Sequence, residues 1–206
     1  MDYNLILNDK QIKLLPVVKN ISNQGFGLIG GTAIALQLGH RQSIDFDLCS
    51  TKEFDNAELI KIINMTSQID KTLIDNSDEY TAIVNSVKLT CLHYPFPVEF
   101  KEIINNISPM ADLLTLGAMK AYTLGRRIKW KDYVDLYFIM ENNYPIQEII
   151  TKAKQIFGSN FNEKLFRVQL AYFEEIDYSE EINFLPNKEV SDEAIKEKLI
   201  KWSLAE

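Results

Sequence analysis

Two adjacent glycines and, about a dozen residues later, a pair of aspartates constrain this chain most. Gly30 and Gly31 follow the short apolar run FGLI and precede TAIALQL, a strongly helix-forming stretch closed by Gly39. Residues 43–50 then alternate polar and apolar side chains, which is typical of a strand. A strand, a glycine turn, a helix and a second strand make an α/β unit, so this part of the chain is predicted to build a sheet.

The residue pattern changes after Pro109. Upstream, short runs predict strands at 67–74, 79–85 and 86–94, together with helices at 8–22 and 54–64. Downstream, apolar residues recur every three to four positions, which predicts a helix pair within 110–140 and further helices at 145–157, 162–177 and 189–203. The sequence therefore predicts an α+β protein, with an α/β core over residues 1–108 and a helical region over residues 109–206.

Charge and hydropathy exclude several classes of protein. The net charge of −7 argues against non-specific coating of nucleic acid, which needs clustered Lys and Arg. One basic cluster, GRRIKWK at 125–131, is nevertheless suited to an NTP or an RNA end. No leader-like N-terminus and no long apolar run is present, so we expect a cytoplasmic protein with no membrane contact. Cys49 and Cys91 lie in apolar stretches and are interpreted as core thiols.

The aspartates Asp45 and Asp47 are two residues apart on the predicted strand and therefore project from one face. Ile44, Phe46 and Leu48 should pack into the core from the other face. Neighbouring carboxylates repel each other unless a cation bridges them, and oxygen ligands suit Mg²⁺. Taken alone, an Asp-x-Asp pattern is more often a solvated strand face.

The glycine turn strengthens the metal interpretation. Gly30 and Gly31 precede a helix, where free N–H groups and the helix dipole favour a phosphate. Thr32 is expected either to cap this helix or to bind a phosphate oxygen. A phosphate cradle close to a carboxylate pair predicts a nucleotide–metal site.

Two segments resemble a known family. LIGGTAIALQLGHRQSIDFDL is similar to the signature of polymerase-beta-type nucleotidyltransferases, in particular the AbiEii branch of type IV toxin–antitoxin and abortive-infection systems. ADLLTLGAMKAYTLGRRIKWKDYVDLYFIM resembles a second block of that branch. The resemblance implies a nucleotidyltransferase fold with a small mixed sheet. It also implies transfer of an NMP from an NTP, with Mg²⁺ or Mn²⁺, to an acceptor such as RNA or tRNA, and a cognate antitoxin as partner.

The resemblance also assigns roles to individual residues. The glycine pair matches the phosphate-binding motif, and the aspartate pair matches the metal ligands. In the second block, Lys120 matches the helical lysine of the family and Asp132 the aspartate of its last motif. Either Arg126 or Arg127 is expected to act beside Lys120, and Asp132 to orient Lys120 or Arg127.

One feature departs from the family pattern. Polymerase-beta-type enzymes usually carry a third carboxylate on a later strand, but SVKLTCLHY has none, and Thr90 stands at the corresponding place. Glu99 follows two prolines and is a poor substitute. The sequence therefore keeps two alternatives open: a small-molecule nucleotidyltransferase of the aminoglycoside-modifying type, and a non-catalytic nucleotide-binding or interaction protein.

Two basic residues allow more than one interpretation. Arg41 is placed either to reach a nucleotide phosphate or to pair with Asp45. Lys131 and Asp135 are four residues apart in a predicted helix, a spacing that allows a surface ion pair.

Overall fold

The computed structural model describes residues 3–101, 104, 107–124 and 126–205. Its five strands are β1 Gly27–Ile29, β2 Phe46–Ser50, β3 Ile69–Asp75, β4 Glu79–Val84 and β5 Val87–His93. Its helices in the first half are α1 Asp9–Ser22, α2 Gly30–Leu38 and α3 Asn56–Asn64. The second half contains α4 Leu113–Leu124, α5 Trp130–Asn142, α6 Ile146–Phe157, α7 Glu163–Leu170 and α8 Asp192–Ser203.

The strands form one mixed sheet in the order β1-β2-β5-β4-β3. β2 and β5 are parallel, whereas β1 pairs with β2, β4 with β5, and β3 with β4 in antiparallel fashion. The β4–β5 hairpin turns at Asn85 and Ser86, both at positive φ, as in the tight turns that match strand twist. The predicted α+β fold with a small mixed sheet is confirmed.

One face of the sheet is closed by apolar side chains. Phe46 and Leu48 of β2, and Leu89 and Cys91 of β5, are fully buried there. Helix α1 packs against β5, and α3 packs against β3 and α1. Because side chains alternate along a strand, Asp47 and Thr90 belong to the opposite face.

The chain divides into two compact units. One comprises Met1–Gln37 and Gln42–Asp112, and the other Leu38–Arg41 and Leu113–Glu206. In the second unit α4 packs against α5, α6 and α7, while α8 packs against α5 and α7. Among the described residues, no helix is long and apolar enough to cross a membrane.

Three local expectations can be compared with the structure. Cys49 and Cys91 are free, buried thiols, as expected, and burial raises the pKa of Cys49 to about 12. The helix predicted at 162–177 ends at Leu170, because Asp177 instead exchanges backbone hydrogen bonds with the segment that leads into α5. Ile44 was expected in the core, but it is 64% exposed, since it precedes β2 and escapes the strand alternation.

Candidate functional site

Gly30 begins α2 directly beside the carboxylate of Asp47. β1 ends at Ile29, which pairs with Asp47 across the β1–β2 ladder. Gly30 then adopts φ +72°, a left-handed conformation that glycine tolerates best. A Cβ on Gly30 would lie 2.5 Å from Asp47 Oδ2, so only glycine leaves room for the carboxylate. The first turn of α2, whose N–H groups have no acceptor within the helix itself, therefore starts at the acid.

Thr32 connects the same helix to the other aspartate. Because α2 begins at Gly30, Thr32 lies inside its first turn, and the expectation that it caps the helix is wrong. The buried Thr32 hydroxyl donates a short hydrogen bond to the carbonyl oxygen of Asp45. Since that hydroxyl has a single proton, Ser43 must donate the 2.7 Å hydrogen bond between the two hydroxyls. Thr32 thereby fixes the backbone just before β2.

β2 and β5 set the neighbours of both acids. Thr90 is the register partner of Asp47, and it is only 6% exposed. Two residues earlier on each chain segment, Lys88 Nζ lies 3.3 Å from Asp45 Oδ2. Both aspartates and both β5 residues therefore share one face of the sheet. An open groove of about 590 Å³ lies beside Asp45 and Lys88, bounded by the start of α1 and the β4–β5 turn.

The donor set fits a divalent cation together with a polyphosphate. Asp45 and Asp47 are partly exposed oxygen donors on one face, and Gly30 places the N-terminal end of α2 beside Asp47. Hard cations such as Mg²⁺ take one or two carboxylates and complete their shell with phosphate oxygens and water. No group of three or more His, Cys, Asp or Glu side chains suited to a metal occurs among the described residues. The described part of the chain thus offers a cation two carboxylates at this place, Asp45 and Asp47.

A second cluster lies in the helical unit. Lys120 of α4 is 5% exposed and donates to Asp132 Oδ1, and its Nζ lies 2.9 Å from Asp135 Oδ2. Burial alone would lower the pKa of Lys120, but the two carboxylates outweigh burial and raise it. For Asp132, burial would raise the pKa, whereas Lys120 and Arg127 hold it below its ordinary value. The cluster is thus charged and internally paired.

Arg41 and His40 complete this cluster from the segment that follows α2. Arg41 donates to both oxygens of Asp135, at 2.8 and 3.0 Å. His40 is fully buried, with its Nε2 2.8 Å from Asp135 Oδ1. Burial would raise the pKa of Asp135, but Arg41 and Lys120 hold it well below 3.8. Burial lowers the pKa of His40. Asp135 is therefore the acceptor at the centre of the cluster.

The structure also separates the two neighbouring arginines. Arg127 donates to Asp132 at 3.0 Å and so joins the Lys120 cluster. Arg126 instead bonds the Tyr122 hydroxyl, with its guanidinium 4.2 Å from the centre of that ring. Asp132, expected to orient Lys120 or Arg127, contacts both side chains. Gly125, which precedes the arginines, lies outside the described residues.

The surface pair that the spacing of Lys131 and Asp135 allowed is replaced by other partners of each residue. Lys131 donates to Glu180, and Lys129 donates to the other oxygen of the same carboxylate. These two contacts hold the pKa of Glu180 at about 2, although burial opposes them. Asp135 faces the buried side of α5 and is 0% exposed.

Comparison with known proteins identifies the family of this chain. The family model described as the nucleotidyl transferase AbiEii toxin of type IV toxin–antitoxin systems matches residues 14–201. The chain belongs to the AbiEii family. Membership makes it a nucleotidyltransferase, and it implies an NTP substrate and an antitoxin partner.

The individual proteins to which this chain is similar are diverse in sequence. The protein aq_aa25 of Aquifex aeolicus is 29% identical over 155 residues, which covers 73% of this chain and 74% of that protein. A putative nucleotidyltransferase from Helicobacter pylori has a TM-score of 0.62 at 17% identity, covering 95% of this chain and 92% of its own. The nucleotidyltransferase toxin MenT4 of Mycobacterium tuberculosis has a TM-score of 0.65 at 12% identity, covering 95% and 82%. The two structures confirm the nucleotidyltransferase fold.

Sequence reasoning missed three residues of these clusters. Lys88 is two positions before Thr90 in the same strand, so the alternation of β5 already placed both on one face. Asp135 is three positions after Asp132, a spacing that puts both on one side of a helix. No sequence signal could place His40 against Asp135, because that contact depends on the tertiary fold.

Proposed function

We propose that this chain transfers a nucleoside monophosphate from an NTP to the 3′ end of an RNA such as a tRNA. In this proposal Asp45 and Asp47 hold Mg²⁺ or Mn²⁺. The observation that carries it is the contact between Gly30 and the Asp47 carboxylate, which joins a helix N-terminus to an acid. A nucleoside triphosphate bound to a divalent cation needs both kinds of group.

The reaction takes place at the α-phosphorus of the NTP and transfers the nucleoside monophosphate group. The acceptor hydroxyl oxygen bonds to the α-phosphorus, the bond from that phosphorus to the bridging oxygen breaks, and pyrophosphate leaves. The acceptor proton passes to solvent. A bound divalent cation supplies charge neutralisation and orientation of the phosphates. The N–H groups of Gly30 and Gly31 donate to phosphate oxygens. The Thr32 hydroxyl holds the backbone of Asp45 in place.

The acceptor and partner follow from family membership. The toxin of a toxin–antitoxin system acts on a target inside the cell that makes it, which favours a cytoplasmic RNA as the acceptor. An antitoxin protein encoded beside this chain is the proposed partner. Lys120, Asp132 and Arg127 remain predicted participants in nucleotide handling, and Arg126 the alternative to Arg127.

The metal and nucleotide are tested by thermal unfolding. An NTP with Mg²⁺ should raise the Tm, because a ligand that binds only the folded state stabilises it. The double variant Asp45→Asn, Asp47→Asn should remain folded and lose the metal-dependent part of the shift. An unchanged shift in this variant would mean that the nucleotide binds elsewhere.

The transfer itself is tested with labelled NTPs, Mg²⁺ or Mn²⁺, and total tRNA. We expect label in RNA with the wild type and none with the double aspartate variant. Label on an aminoglycoside and not on RNA would show that the chain is a small-molecule nucleotidyltransferase and not an RNA nucleotidyltransferase. If no acceptor becomes labelled although the NTP binds, the chain would be a non-catalytic nucleotide-binding protein.

A further inference from the structure

The carboxylate pair lies beside a lysine, and within the described residues it belongs to no group of three metal-binding side chains. Two-cation sites for phosphoryl or nucleotidyl transfer place the ions about 3.5–4 Å apart, one near the attacking oxygen and one near the leaving oxygen. Two divalent ions so close need several anionic ligands between them. Asp45 and Asp47 alone supply two negative charges.

Lys88 lies on the same face of β5 as Thr90, the position that corresponds to the third carboxylate. The parallel register pairs Asp47 with Thr90. Lys88 projects from the same face of β5, and its Nζ lies 3.3 Å from Asp45 Oδ2. Its side chain is 42% exposed and lines the open groove of about 590 Å³ beside Asp45. A substrate in this groove would meet the lysine ammonium group and the Asp45 carboxylate together.

The charge of Lys88 changes what the aspartates can hold. An ammonium group at this distance neutralises part of the Asp45 charge and repels a second cation at the same oxygen. The same group is a fixed positive charge with three donors, suited to an oxygen that becomes anionic. One divalent cation and one lysine then provide the two positive centres that two metal ions provide elsewhere.

We propose that Lys88 takes the place of a second divalent cation, so that the site works with one metal ion and Lys88 faces the acceptor oxygen from the groove. This inference rests on the proposed nucleotidyl transfer. It predicts both a metal count and a substrate-specific kinetic effect, which can be measured separately.

The metal count is obtained from free Mn²⁺ by electron paramagnetic resonance, with the full chain in excess over a non-hydrolysable NTP analogue. We expect one Mn²⁺ per protein–nucleotide complex for the wild type. Lys88→Glu should bind two, because it sets a third carboxylate beside Asp45. Lys10→Glu is the matched control, since Lys10 lines the same groove while the lysine paired with Asp45 is Lys88, and it should bind one.

Kinetics supply a second measurement that does not depend on the new carboxylate. Lys88→Met should lower kcat by about 10²-fold, as removal of one stabilising donor typically does, while the KM for NTP stays within about twofold. Lys88→Arg, which keeps the charge, should recover most of the rate. A fall in NTP affinity in place of kcat would overturn the acceptor-side role.

The outcomes separate this inference from the proposed function. Two Mn²⁺ per complex in the wild type, or one in a folded Lys88→Glu variant, would overturn the substitution of Lys88 for a cation. Absence of any nucleotide-dependent Mn²⁺ binding in the wild type would instead overturn the transferase site itself.

Discussion

Gly30 and Asp47 touch so closely that no other residue than glycine fits at position 30. An added Cβ would meet Asp47 Oδ2 at 2.5 Å, and the backbone there has φ +72°. The contact couples the start of α2 to Asp47, one of the two acids of the pair. A change at Gly30 should therefore alter the site as well as the local backbone.

Gly30→Ala should lower both stability and ligand response. The positive φ alone costs roughly 1–2 kcal/mol for a residue with a Cβ, and the contact with Asp47 adds to that. Gly25→Ala is the matched control, because Gly25 also has positive φ, at +91°, but nothing lies within 4 Å of an added Cβ. Urea unfolding should give a larger loss for Gly30→Ala. The Tm rise with Mg²⁺ and NTP should vanish in that variant alone, and equal behaviour of the two variants would contradict the contact.

A carboxylate at position 90 should make the thermal stability of the protein depend on a divalent cation. Thr90→Asp puts an acid directly across from Asp47, and like charges in opposed positions of a sheet destabilise it. We expect the metal-free Tm to fall and Mg²⁺ to restore more of it than in the wild type. Thr81→Asp is the control, since Thr81 pairs with Thr90 one strand farther away. A similar metal rescue of both variants would show that the added acid does not join the site.

The sequence predicted the elements of the site better than their neighbours. Local signals sufficed for the glycine turn and the Asp45–Asp47 pair, because a helix start and a two-residue strand period are properties of adjacent residues. The contact of Lys88 with Asp45 depends on β2 lying parallel to β5, a pairing of distant segments. The alternating pattern of residues 43–50 likewise did not indicate that Ile44 would be exposed, because it did not show that β2 begins only at Phe46.

The two arginines after α4 offer a matched pair of variants. If Arg127 acts on the nucleotide, Arg127→Gln should raise the KM for NTP by about tenfold, the effect of losing one charge-assisted hydrogen bond. Arg126→Gln removes the same charge one residue away, from a guanidinium that bonds Tyr122 instead of Asp132. Steady-state kinetics on both should separate them. Equal effects would point to general attraction of the polyphosphate and not to a specific contact.

Asp135 should be the most costly acid of the helical unit to neutralise. Asp135→Asn weakens contacts with Arg41 and Lys120, both nearly inaccessible to water, and breaking such a buried pair costs about 3–5 kcal/mol. Glu163→Gln removes an acid that pairs with Arg167 at i,i+4 and with Lys154, partly exposed contacts worth about 0.5 kcal/mol each. Urea denaturation at neutral pH measures both. A loss below about 1 kcal/mol for Asp135→Asn would contradict its central place.

His40 should make the stability of the protein depend on pH below neutrality. Burial lowers the pKa of His40 in the folded chain, although its contact with Asp135 opposes this, and Arg41 and Lys120 add to the lowering. A histidine in the unfolded chain has a pKa of about 6.5. Above that pH both states hold neutral imidazole, and His40 adds no slope. As the pH falls below it, the unfolded state takes up a proton that the folded state resists.

The expected result is a loss of unfolding free energy as the pH falls from about 6.5, with a slope of at most about 1.4 kcal/mol per pH unit from this one group. Urea unfolding at several pH values between 7.5 and 5.5 gives the slope directly. His40→Gln, whose amide nitrogen can still donate to Asp135, should flatten it because the titrating group is gone. His93→Gln removes the other histidine, which contacts Asp78 near the surface, and controls for the loss of a histidine elsewhere. Equal slopes in the wild type and His40→Gln would show that the buried imidazole is not the group that loses stability in acid.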